Sequence, residues 1–243
     1  MVNTGKMVFG LVLVAFFVAA VDAAPVVVIA PAKGKWAASG HVHKLSERNT
    51  DLSQTAGSKV DVDYLVYIGR VHYGLSDRVE IYGELGSVSA GLNQTSGTLL
   101  FNDISTGSEL IWGAGIQGIL HDAKTWNIGM DLQYLSTKDL TGPAVGGATN
   151  GLPWTIDWTE WHVAVQAQTT IEGFIPWVGV KYSDATVENL RINGAPDPRE
   201  LEASDNVGVY GGVATMIGDK TAVYVEGRFI DETAFGGGIK YNF

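Results

Sequence analysis

The chain has 243 residues, no cysteine and a formal charge of −10. The lack of cysteine excludes a disulfide scaffold and the Cys-rich metal spacings, and so acidic a chain lacks the basic surface that a nucleic-acid partner requires. Charged residues are 17% of the chain and glycine is 31 of 243, but hydrophobic residues still make up 46%, so the low charge does not signal disorder.

Residues 1–23 read as a secretory signal peptide: Lys6 is the positive start, Met7 to Val21 the apolar run, and Val21-Asp22-Ala23 a processing site. Position 24 is Ala rather than Cys, so a lipid-anchored N-terminus is not expected. Residues 24–243 then form one all-β domain. No stretch of that domain is apolar for 18 residues. If it crosses a membrane it must do so as a closed barrel, in which every backbone N–H and C=O finds a partner.

The dominant period is two. The first strand is expected at 35–45, the second at 61–73 and the third at 78–88. Between the second and third, Leu75-Ser76-Asp77 makes a short turn. Pairing Tyr73 with Val79 would set Val71 against Ile81 on one face, and His72 against Glu80 and Ile68 against Glu84 on the other, with Arg70 beside them. The fourth strand, 108–120, alternates Leu110, Trp112, Ala114, Ile116, Gly118 and Leu120 with Glu109, Gly113, Gly115 and Gln117.

The fifth, 125–136, is the clearest: Trp126, Ile128, Met130, Leu132 and Tyr134 alternate with Asn127, Gly129, Asp131 and Gln133. Its eight-residue stripe, tilted by about 40°, rises roughly 20 Å and ends in aromatics, as the lipid-facing band of a membrane barrel does. Strands at 155–170, 176–185, 205–216, 221–230 and 233–243 repeat the pattern. Long loops are expected at 46–60, 89–107, 137–154 and 186–204, and short turns at the other end. The reading is all-β, a transmembrane antiparallel up-and-down β-barrel of about ten strands, with eight or twelve as alternatives. A soluble β-sandwich would not explain aromatics at the stripe ends. Both termini are expected on the periplasmic side.

Phe235, Ile239, Tyr241 and terminal Phe243 resemble the closing strand of bacterial outer-membrane barrels. The stretch Tyr73-Gly74-Leu75-Ser76-Asp77-Arg78, with Val79 and Ile81, is similar to a periplasmic hairpin of the small OmpA-like, porin-like barrels. The resemblance implies that Tyr241 and Phe243 form an assembly signal read by the barrel-assembly machinery. It also implies outer-membrane lipid and lipopolysaccharide as surroundings, and a monomer. No segment is expected after the barrel to carry a peptidoglycan-binding domain.

The inner face is expected to carry His41, His43, Arg70, His72, Glu80, Glu84, Gln117, Asp131, Gln133, Glu160, His162, Gln166, Lys181, Glu226, Arg228 and Lys240. So few strands leave little free space, so these side chains form either a structural polar core or a narrow pore. Surface recognition through the long loops is the alternative, with Leu99, Leu100 and Phe101 as exposed apolar candidates. An enzyme would need acid–base groups converging at the rim. Asp61, Asp63, Asp157, Glu160 and His162 lie near it, but no Asp-Asp or adjacent Asp-His pair does, and His121-Asp122 falls in a short turn. His41 and His43 share a face without a third metal ligand. Neither a catalytic centre, a metal site nor a cofactor is expected.

Overall fold

The computed structural model describes residues 31–52, 59–96, 104–143, 153–198 and 200–243. The leader at 1–23 and the candidates Leu99, Leu100 and Phe101 lie outside them. Ten antiparallel strands form the wall: β1 (Trp36–Leu52), β2 (Lys59–Ser76), β3 (Val79–Ser96), β4 (Glu109–Asp122), β5 (Trp126–Pro143), β6 (Pro153–Thr169), β7 (Phe174–Ile192), β8 (Val207–Ile217), β9 (Thr221–Phe229) and β10 (Thr233–Asn242). Each pairs with its chain neighbours, and β1 pairs with both β2 and β10. Closure removes the sheet edges that lipid would leave unpaired.

All ten strands fall where the period-two reading puts them. The β2–β3 register differs from expectation by two residues. Ser76 pairs with Val79 around a tight Asp77-Arg78 turn, after an irregularity between Gly74 and Ser76. Tyr73 therefore faces Ile81, His72 faces Tyr82 and Arg70 faces Glu84. A two-residue shift keeps every side chain on its face, so the separation of apolar from charged residues survives.

The outward face is apolar over a limited height. Val71, Ile81, Leu85, Leu132, Val165, Val178, Val180 and Ile239 are exposed. Aromatics bound this band. Trp112 stacks near Tyr134 (centroids 5.9 Å), Trp161 near Tyr182 (5.4 Å) and Phe229 near Phe235 (5.8 Å) along one rim. Trp36 with Tyr73 (4.8 Å) and Tyr241 with Phe243 (5.3 Å) mark the other. Such belts place amphipathic rings at the two lipid–water interfaces.

Much of what reads as loop continues as strand. β1 to β3 and β5 to β7 hold 17 to 19 residues each, whereas β8, β9 and β10 hold 11, 9 and 10. The long strands build a collar beyond the upper aromatic rim. Three short pieces complete it, one of them Ala195–Pro196, which pairs with the end of β7. Leu201–Ala203 pairs with both β7 and β1, and Ile104–Ser105 pairs with β3. Gly107 N–H then donates to Thr141 O of β5 at 2.9 Å.

Inside the collar the amphipathic sense reverses. Tyr64, Val66, Val88, Leu92, Leu140, Trp154, Ile156, Trp158, Val187 and Leu201 form one buried cluster, while their strand neighbours Asp63, Asn93 and Glu188 are exposed. Tyr64 and Trp158 meet at 4.9 Å. A cavity of about 30 Å³ beside them is only about two water-sized volumes. Asp157 ties two bulges of this wall together. Its Oδ1 accepts from Asp139 N–H and its Oδ2 from Asn189 Nδ2, both at 2.9 Å, and Asp139 and Asn189 each adopt φ 54°. Asn and Asp tolerate that left-handed conformation better than other side chains.

Candidate functional site

Below the collar the barrel interior is charged. Every inner-face residue expected from the sequence is buried there, from Arg70, His72, Glu80 and Glu84 to Asp131, Glu160, His162, Lys181, Glu226, Arg228 and Lys240, and likewise His41, His43, Gln117, Gln133 and Gln166. Alternation alone places them, because each sits one residue from an outward apolar neighbour. They fall into three linked groups.

Nearest the short turns, Glu80 is the hub. Its Oε1 accepts from Lys240 Nζ at 2.6 Å, from Gln117 Nε2 at 2.5 Å and from His72 Nδ1 at 2.9 Å. Ser39 Oγ lies 2.8 Å from His72 Nε2 and 2.7 Å from His41 Nε2, and His41 Nδ1 meets the Tyr224 hydroxyl. A carboxylate only accepts, which assigns the chain in one direction: Tyr224 O–H to His41, His41 Nε2–H to Ser39, Ser39 O–H to His72, His72 Nδ1–H to Glu80.

In the middle, Glu84 accepts from Arg70 Nε and Gln133 Nε2, both at 2.6 Å. Asp131 accepts from the Tyr82 hydroxyl at 3.0 Å and from His162 Nε2 at 3.0 Å. Arg70 lies over the Tyr82 ring, 4.7 Å from its centroid. Tyr210 donates to Gln166, and Trp177 to Glu226. Glycines opposite the tyrosines make this packing possible. Tyr82 faces Gly115, Tyr210 faces Gly179 and Tyr224 faces Gly238. A Cβ on Gly115 would come within 2.3 Å of the Tyr82 hydroxyl.

At the top, directly under the apolar cluster, Arg48 Nη1 reaches Glu160 at 3.0 Å and Glu232 at 3.5 Å, and its Nη2 donates to Ser183 at 3.0 Å. Arg228 Nη1 lies 2.7 Å from Glu232, and Lys181 contacts both Asp231, at 3.0 Å, and Glu232. Arg48, Asp231 and Glu232 escape a sequence reading. Arg48 follows an irregularity after Leu45 that breaks the alternation. Asp231 and Glu232 occupy a short connection, where acidic residues ordinarily face water. Their signal is proximity in sequence to Arg228 on an inward position.

Among the described residues, each of the five interior cations, Arg48, Arg70, Lys181, Arg228 and Lys240, contacts a carboxylate. The cost of burial is thereby offset, and removing one partner would leave an uncompensated charge. The rim set Asp61, Asp63, Asp157, Glu160 and His162 is not brought together. Asp61 and Asp63 lie on the outer collar face, Asp157 holds the bulges, and Glu160 and His162 belong to different buried pairs. On that outer face the Asp61 carboxyl is pushed above its ordinary value, by burial first and then by Glu47, with Lys59 opposing.

No protein-family model matches the chain, and no curated protein matches it. Among solved structures it is similar to the translocator domain of autotransporter NalP from Neisseria meningitidis, with 10% identity, 87% of this chain and 89% of that one covered, and a TM-score of 0.50. It is also similar to the outer-membrane protease OmpT from Escherichia coli (13% identity, 86% and 94% covered, TM-score 0.45). A third similarity is to an outer-membrane channel from Pseudomonas putida F1 (12% identity, 91% and 100% covered, TM-score 0.46). At these identities the likeness concerns fold alone. With its closed wall, its lipid-facing band and its aromatic rims, the chain is a ten-stranded β-barrel of the bacterial outer-membrane type.

Proposed function

We propose that the protein is an integral outer-membrane barrel whose interior is a closed structural core at rest. The observation that carries this reading is the filling of the lumen. Paired charges occupy the membrane-level interior, and a packed apolar cluster lies across the collar above them. An open porin-like pore would need a continuous hydrated path, which a dry apolar layer opposes. Short turns at one end and the collar at the other support an orientation with both termini in the periplasm. The partners that fit are outer-membrane lipid and lipopolysaccharide around a monomer. Tyr241 and Phe243, exposed at the end of the closing strand, are suited to display an assembly signal. Refolded protein in planar bilayers is expected to show no stable conductance steps; steady unitary currents would overturn the reading.

A second reading is favoured by the collar itself. It holds a rigid polar wall clear of the lipid band, as a platform for surface recognition would. Loss of cell or lipid binding on substitution of outer-face residues such as Asp63 and Glu188 would support it.

A further inference from the structure

The β9–β10 connection consists of Ile230, Asp231 and Glu232, and two of its three side chains turn inward. Asp231 and Glu232 are each 3% exposed, whereas Ile230 is 72% exposed. Ile230 adopts φ 90°, a backbone conformation that a β-branched residue disfavours. The turn is held in it from several strands at once. Lys181 of β7 contacts both carboxylates, Ser183 donates to Asp231 at 3.1 Å, and Arg228 of β9 and Arg48 of β1 reach Glu232. The facing strand leaves room for it. A Cβ on Gly208 of β8 would lie 1.9 Å from Asp231 Oδ1.

The position of the turn matters as much as its contacts. Over β1–β3 and β5–β7 the charged lumen is roofed by the apolar collar core. Over β8–β10 the barrel strands stop lower, and Leu201–Ala203 crosses above them from β7 to β1. The turn fills the top of the wall on this arc. Its removal would open the lumen outward without unpacking the collar.

We propose that the Ile230–Glu232 turn is an ion-pair-latched plug, and that its withdrawal admits small inorganic anions to the lumen. This rests on the reading that the resting lumen is closed. The withdrawn turn carries away both of its carboxylates. Lys181 then has neither of them, while Arg228 and Arg48 lose Glu232 but keep Glu226 and Glu160; three cations against two carboxylates leave a positive excess at the new mouth that favours anions over cations.

The test is conductance in planar bilayers under a potassium chloride gradient. Three proteins are compared: the wild type, the Asp231→Asn/Glu232→Gln double variant, and Gly208→Ala, which keeps every ion-pair partner but takes the space of the Asp231 carboxylate. The wild type should be silent. Both variants should raise open probability at least ten-fold, with a reversal potential displaced toward that of chloride. The chain has no cysteine, so Ser183→Cys/Asp231→Cys can be tied by a short bis-methanethiosulfonate cross-linker, each thiolate displacing a methanesulfinate, which should abolish the openings seen before cross-linking. Folding is checked by the mobility difference between boiled and unboiled samples. If one variant fails to insert, the other decides. Folded variants as silent as the wild type, or openings that persist after cross-linking, overturn the plug and leave the closed-core reading standing. Steady currents in the wild type overturn the closed-core reading itself, and the plug with it.

Discussion

Glu80 and Lys240 lie 2.6 Å apart, although one belongs to β3 and the other to β10, with β1 and β2 between them in the wall. The pair spans the interior and fixes the inner ends of four strands. Glu80→Ala would leave Lys240 buried without its carboxylate, and the expected loss is about 3–5 kcal/mol. Glu80→Gln combined with Lys240→Met removes both charges and should cost less than Glu80→Ala alone. Urea unfolding of vesicle-inserted protein would measure both. A double variant worse than the single one would show that the pair is not the unit of stability.

Tyr82 and Gly115 face each other across β3 and β4. Gly115→Ala should displace the Tyr82 ring and break its bond to Asp131, at a cost of about 1–3 kcal/mol. In a Tyr82→Ala background the same substitution should cost much less. The coupling energy from the four-protein cycle is the readout, and additive effects would dissociate the two residues.

Leu132 and Thr159 both face outward, one inside the lipid band and one above it on the collar. Leu132→Arg is expected to destabilise by about 2–4 kcal/mol, and Thr159→Arg by no more than about 0.5 kcal/mol. Equal costs, measured in the same lipid, would refute the proposed upper boundary of the membrane.

Asp61 titrates above its ordinary value because it is partly buried beside Glu47, and its Oδ1 has no hydrogen-bond partner among the described residues. A raised carboxyl favours the folded state when protonated, and that contribution is lost as pH rises through the folded value. Asp61→Asn should therefore stabilise the barrel at neutral pH by less than about 1 kcal/mol. The gain should fade as pH falls toward about 4. A gain that persisted undiminished in acid would assign the effect to something other than ionisation.

The membrane barrel was legible because lipid and lumen demand opposite side chains on alternate residues, as Trp126 to Tyr134 show. The collar was not, because the apolar residues change phase at its base. On β3 they occupy Ile81 and Leu85, then Val88, Ala90 and Leu92, while the strand itself keeps its inward and outward faces. Read with a fixed phase, the strand ends at 88. The signal was present in the polar companions Ser87 and Ser89, which continue the period of two. β2 does the same, passing from Val62, Tyr64, Val66 and Ile68 to Arg70 and His72 on one inner face. The latched turn was hidden for a different reason. Inward acidic residues at a hairpin end have only the nearby Arg228 as a signal in the sequence; Lys181 and Arg48, which complete the latch, come from distant strands.

The change of phase also governs movement along the bilayer normal. Were the barrel to rise by one pair of residues, Trp161 and Tyr182 would leave the headgroup level. Sinking by the same amount would draw Thr159 and Asp184 into hydrocarbon. Immersion depth is thus encoded strand by strand, as sharply as register is encoded across the sheet.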